Sequence, residues 1–116
     1  MAGRKTPASN PADVFLNIPF DAQHERLYLA LIAGLTGLGL TPRSVLEIPP
    51  PQNRLSRLIA LIQACGSSVH DLSRVQLAPG KPRCPRFNMP FEAGLAVAWA
   101  HMPHVQHRWF VLAFLG

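Results

Sequence analysis

Asp13-Val14-Phe15-Leu16-Asn17-Ile18-Pro19-Phe20 is a near-continuous run of apolar, β-prone residues closed by a proline. Apolar side chains occupy both parities of this run, so an extended chain here is apolar on both faces. A strand with one face in water alternates; this one needs cover on both sides, as parallel sheets provide. Pro19 brings no backbone N–H and ends the ladder.

Downstream, the pattern alternates between helix and strand. Asp21 is placed to cap a helix from about Gln23 to Leu38, with Leu27, Leu31, Leu35 and Leu38 on one side and Gly39 placed to stop it. Pro42–Ile48 is the predicted second strand, ended by Pro49, Pro50 and Pro51. Asn53 can cap a second helix in which Leu55, Leu58, Ile59 and Ile62 form the apolar stripe and Gly66 stands where a helix-ending residue belongs. Ser67–Ser73 is the predicted third strand. A basic, proline-rich loop, Arg74–Arg86, then leads into Arg86-Phe87-Asn88-Met89-Pro90-Phe91-Glu92-Ala93-Gly94-Leu95-Ala96, the start of a third helix with Pro90 in its first turn. Phe91, Leu95, Ala98 and Met102 are its predicted buried stripe. Arg108–Leu115 is the predicted fourth strand.

The order β-α-β-α-β-α-β specifies an α/β fold: a short, mostly parallel four-stranded sheet with helices on both faces and right-handed crossovers. The expected strand order is 2-1-3-4. Residues 1–12 are polar and are expected to form a flexible leader, and 13–116 a single domain.

With 116 residues there is room for one core. No apolar run approaches the ~20 residues needed to span a bilayer. Met1–Asn10 carries no apolar segment of the secretory kind, so the expected location is the cytoplasm. The net charge of +5 suits an anionic partner. The basic residues are scattered through loops without a helix-turn-helix, zinc-finger or aromatic RNA-binding signature, which points away from nucleic acid. Cys65 and Cys84 lack metal or redox spacing; they read as a small apolar helix residue and a loop thiol.

The six acids of the chain are informative because they are few. Asp21 follows the first strand, Asp71 ends the third, and Glu92 opens the third helix. Ligands of open parallel sheets bind beyond the carboxyl ends of the strands, where the strand order reverses. In the order 2-1-3-4 that crevice lies between strands one and three. Asn17, Phe20 and Asp21 would line one side, Asp71 and Ser73 the other, with Arg86, Asn88 and Glu92 approaching from the next loop. Near a helix start, Glu92 is expected to be ionised at neutral pH.

The combination DVFLNIPFD, HDLSR and RFNMPFEAGLA resembles a family of uncharacterised bacterial proteins related to the nucleoside 2-deoxyribosyltransferase and TIR-like superfamily. The match covers residues 13 to about 100, and its second and third pieces are the distinctive ones. The resemblance implies a flavodoxin-like, three-layer sheet and cleavage or exchange of N-glycosidic bonds of nucleosides or NAD. Glu92, followed by Ala93 and Gly94, matches the superfamily's helix-borne glutamate, and Asp71 an acid that helps hold the nucleoside. The usual fifth strand is missing, which would suit a shortened form of a longer protein. Phenylalanine, asparagine and methionine, with Arg86, stand where TIR enzymes place aromatic and serine residues before the glutamate.

Two functions follow. In one, Glu92 stabilises or attacks the anomeric carbon of a nucleoside or NAD, Asp71 and Asn88 position the ribose, and Arg86, with Arg54 or Arg74, holds a phosphate. No cofactor or metal is called for, NAD or the nucleoside being substrate. In the other, the domain senses a nucleotide or another protein without turnover and forms a homo-oligomer through its last strand, whose apolar edge invites pairing. The spacing His101-x-x-His104-x-x-His107 is interrupted by Pro103 and reads as an exposed connector. Gly34, Gly37 and Gly39 do not follow a strand and form no dinucleotide fingerprint. Ser73 lacks a nucleophile-elbow setting, and His70 reads as a strand residue.

Overall fold

The computed structural model describes residues 9–19, 21–48, 53–73 and 88–113, with only the backbone of residue 88. Phe20, Arg86, Cys84 and the three prolines after Ile48, all singled out above, lie outside the described residues. The elements are β1 (Asn10–Asn17), α1 (Glu25–Gly37), β2 (Thr41–Ser44), a 3-10 turn (Val45–Glu47), α2 (Arg54–Ala64), β3 (Cys65–Asp71), α3 (Asn88–Ala100) and β4 (Arg108–Leu112). The four strands form one sheet, all parallel, in the order β2-β1-β3-β4. The expected α/β architecture and strand order are both present. β1 starts at Asn10, so the last residues assigned to the leader belong to the sheet.

Side-chain alternation along β1 builds two cores. Val14, Leu16 and Ile18 meet Tyr28, Leu31 and Leu35 of α1 on one face. Phe15, fully buried, meets Leu58, Ile62 and Ala96 from α2 and α3 on the other. The apolar run is thus covered on both sides, which places β1 at the centre of the molecule.

Five local expectations are corrected. β2 stops at Ser44, because Ser44 and Glu47 form a capping box that turns Val45–Glu47 into a 3-10 turn. Arg43 reinforces the turn by reaching both Glu47 and Asp13 on β1. Asn53 starts α2 without a side-chain cap; it supplies a left-handed residue (φ 58°), which asparagine tolerates.

Gly66 does not end α2. The helix stops at Ala64 and runs directly into β3, whose first residue, Cys65, is fully buried. Burial pushes the Cys65 thiol up to about 12. Gly39 (φ +80°) ends α1 as expected: Leu40 N–H bonds Leu35 O and Gly39 N–H bonds Thr36 O. Leu38 falls beyond the helix and is exposed, and Tyr28 is the buried anchor in its place.

The buried side of α3 is rotated from the expected stripe. Met89, Glu92, Ala93 and Ala96 face inward, whereas Phe91 and Met102 are each 53% exposed. Ala96, fully buried, packs into the cluster around Phe15.

Candidate functional site

The carboxyl ends of β1 and β3 lie side by side, with Asn17 in register with His70. From there the chain leaves toward α1 on one face and α3 on the other, which makes this the point of strand reversal at which a crevice is expected. Alternation assigns its polar residues to the two faces. Asn17 and His70 share the parity of Phe15 and Ser68 and turn toward α3, while Asp71 shares the parity of Val69 and turns toward α1.

On the α1 side, Asp71 is fully buried. Its Oδ1 accepts from the Ser73 backbone N–H at 2.9 Å and from the Ser73 hydroxyl at 2.5 Å. His24 sits between two acids, with Nε2 3.3 Å from Asp71 Oδ2 and Nδ1 2.9 Å from Asp21 Oδ1. A ring carrying a proton on each nitrogen donates to both. Asp21 also accepts from the His24 backbone N–H at 3.0 Å, which closes the turn ahead of α1; the N-cap itself is His24, without a side-chain cap bond, so the expectation that Asp21 caps the helix is corrected. His24 was not singled out in the sequence, where it is an ordinary residue of a helix start. Its distance from residue 71 along the chain hid it.

On the α3 side, Glu92 is the fifth residue of the helix, one turn deeper than expected. It is therefore beyond the unpaired N–H groups of the first turn. It is 8% exposed, and its Oε1 has no hydrogen-bond partner among the described residues. Burial pushes its carboxyl up to about 7, against the attraction of Arg54. The expectation of a fully ionised acid is corrected: desolvation outweighs the helix dipole at this depth.

Asn17 ties β1 to the start of α3, donating from Nδ2 to the Met89 carbonyl at 2.9 Å. The same nitrogen lies 2.7 Å from His70 Nδ1. His70 Nε2 is 2.7 Å from Ser68 Oγ, which is 2.8 Å from His107 Nε2. His107 Nδ1 is 2.9 Å from the Cys65 carbonyl. Burial holds both imidazoles below their ordinary pKa, His70 down to about 4 with help from His107.

The structure therefore joins Asp21, Asp71 and Ser73 into one cluster through His24, and joins Asn17 to the root of α3. Among the described residues no hydrogen bond or ion pair links Glu92 to either aspartate, and Asp71 and Glu92 belong to opposite faces of the sheet. Asn88 opens α3, while Phe20 and Arg86 lie outside the described residues. Among the described residues no group of three or more His, Cys, Asp or Glu is disposed to hold a metal ion. His107 is buried, which corrects its place in an exposed connector; His101 and His104 are exposed as expected.

A cavity of about 790 Å³ lies at the opposite, amino end of the strands, lined among others by Pro11, Gly66, Ser67, His107 and Arg108. Its buried imidazole is already committed to Ser68 and Cys65, and it holds no carboxylate. The chemistry is concentrated at the carboxyl ends.

Fold and site together define an α/β domain of the open parallel-sheet class with buried polar side chains gathered at its strand reversal. Neither protein-family models nor curated proteins give a match to this chain. No helix among the described residues is long and apolar enough to cross a membrane.

Proposed function

We propose that the crevice between β1 and β3 binds a nucleoside or nucleotide, and that Glu92 acts on its N-glycosidic bond. The chain's resemblance to the nucleoside 2-deoxyribosyltransferase and TIR-like superfamily supplies the substrate class. The observation that carries the proposal is Glu92 itself, a buried carboxyl with one oxygen unpartnered among the described residues, on the helix whose root Asn17 holds. A carboxyl held near pH 7 has access to both roles such a reaction needs. Ionised, it stabilises or attacks the developing cation at the anomeric carbon; protonated, it delivers a proton to the leaving base.

The test is release of free base from NAD and from nucleosides by wild type beside Glu92→Gln. Loss of release in the variant supports the proposal, whereas equal or absent release in both ends the enzymatic claim. If the ionised form is the active one, kcat/KM rises with pH and levels off above about 7. At pH 6 it is about a tenth of its plateau, because a tenth of the carboxyls are then ionised. A rate that falls with pH across the same range assigns Glu92 the acid role.

The exposed face of β4 favours a second reading, a non-catalytic module that assembles through its edge. Trp109, Phe110 and Val111 are each more than 40% exposed on a strand that, among the described residues, pairs with β3 alone. Such an edge offers both apolar surface and unpaired backbone groups. A homo-oligomer at micromolar concentration by light scattering, dissociated by Val111→Lys, is the expected result. A monomeric wild type removes this reading.

A further inference from the structure

The polar chain behind Asn17 has its hydrogen-bond directions fixed from both ends. The Cys65 carbonyl can only accept, so His107 Nδ1 carries the proton and, in the neutral ring, Nε2 accepts. Ser68 must then donate its hydroxyl proton to His107 Nε2 and accept from His70 Nε2–H. His70 Nδ1 is left as an acceptor, which suits the Asn17 N–H that reaches it. The second Asn17 N–H goes to the Met89 carbonyl, another group that can only accept. The hydrogen bonds that fix the two ends span 42 and 72 residues of chain, and they demand the same directions throughout.

We infer that Ser68, His70 and His107 are positioning residues for Asn17, locking its carboxamide so that both N–H groups are used inside the protein and a bare acceptor, Oδ1, is left at the crevice. Oδ1 is buried and without a hydrogen-bond partner among the described residues, and Asn17 is 1% exposed. An amide free to rotate would offer either an oxygen or a nitrogen. This one offers only oxygen, so a ligand group meeting it must bring an O–H or N–H. A phosphate or carboxylate oxygen would face oxygen. The consequence for ligands rests on the crevice being the binding site, as proposed above.

The relay is not a Ser–His nucleophile. Ser68 and His70 are fully buried, and the hydroxyl proton is engaged by His107. Nor does it conduct protons, because it ends in an amide at one side and a carbonyl at the other.

Long-range ¹H–¹⁵N spectra of labelled protein at pH 7.5 test the lock without any substrate. His70 is expected as the Nε2–H tautomer and His107 as the Nδ1–H tautomer. In Ser68→Ala the Asn17 carboxamide protons are expected to exchange at least tenfold faster, and Ser68→Thr, which keeps the hydroxyl, restores slow exchange. Millimolar inorganic phosphate is expected to leave the Asn17 carboxamide resonances in place. An Nδ1–H tautomer at His70, an Asn17 exchange rate unchanged in Ser68→Ala, or a phosphate-induced shift at Asn17 overturns the assignment. Where Ser68→Ala does not fold, the wild-type tautomers decide. Failure of base release in the Glu92→Gln comparison leaves these readouts untouched, so the two proposals stand or fall separately.

Discussion

Glu92→Gln raises the thermal midpoint of the protein at pH 8 and leaves it almost unchanged at pH 4.5. In the folded chain the carboxyl is pushed up to about 7, whereas its ordinary value is 4.5. Between those values the folded state holds a proton that the unfolded state has lost, so stability falls as pH rises from 4.5 to 7 and is then level. The difference amounts to about 3 kcal/mol at most, and a neutral amide of the same shape escapes most of it. A gain of about 2 kcal/mol at pH 8 corresponds to a midpoint rise of roughly 8–12 °C.

The buried histidines work in the other direction. Both are held below their ordinary value, so their contribution is present above pH 6.5 and is lost as the pH falls, for His70 toward about 4. Comparing variant with wild type at each pH removes that common trend. An equal gain at pH 4.5 and pH 8, or a loss at pH 8, would show that burial is not what sets the Glu92 proton. A residue that gains stability on replacement and loses base release would be a site held at the fold's expense.

Gly66→Val is expected to cost about 3 kcal/mol by urea denaturation. A Cβ at this position would lie 2.6 Å from Pro11 Cα and 3.1 Å from the Asn10 carbonyl oxygen, both backbone atoms of β1. Backbone held in a sheet cannot swing aside as a side-chain tip does, so β1 and β3 would have to separate where their register shifts, between Asn10 and Val14. Gly34 is the control. A Cβ there meets nothing within 4 Å, and Gly34→Ala should stabilise the exposed interior of α1 by roughly 0.5–1 kcal/mol. A Gly66→Val protein as stable as wild type would mean that the close approach of Pro11 is not real.

The contrast between these glycines shows where sequence reading succeeded. The apolar run Val14–Ile18 could be read as a doubly covered strand because its signal lies in its own residues. Gly39 ended a helix for equally local reasons. Gly66 was misread because its partner is 55 residues away, and nothing beside it in the chain announces Pro11. Val45 and Ile48 suggested strand, while the Ser44 and Glu47 pair that bends the chain there was the stronger local signal. The acids at the carboxyl ends were legible because strand ends were. His24, Ser68 and His107 were not, since each depends on a partner 39 or more positions away. Glu92 was placed on the correct helix but given the wrong protonation, because the depth of burial is set by the rotation of α3 and not by its sequence.

The central place of β1 also sets the order of events during synthesis. Its neighbours are β2 and β3, and both follow it in the chain, so at birth the run Val14–Ile18 has nothing to pair with. At ribosomal rates, β3 is complete roughly 3–11 s after β1. Through that interval the central strand lacks its β3 neighbour and has at most β2 to pair with. A chaperone that holds short extended apolar stretches would find its substrate here, and release would come only once Asp71 has left the ribosome.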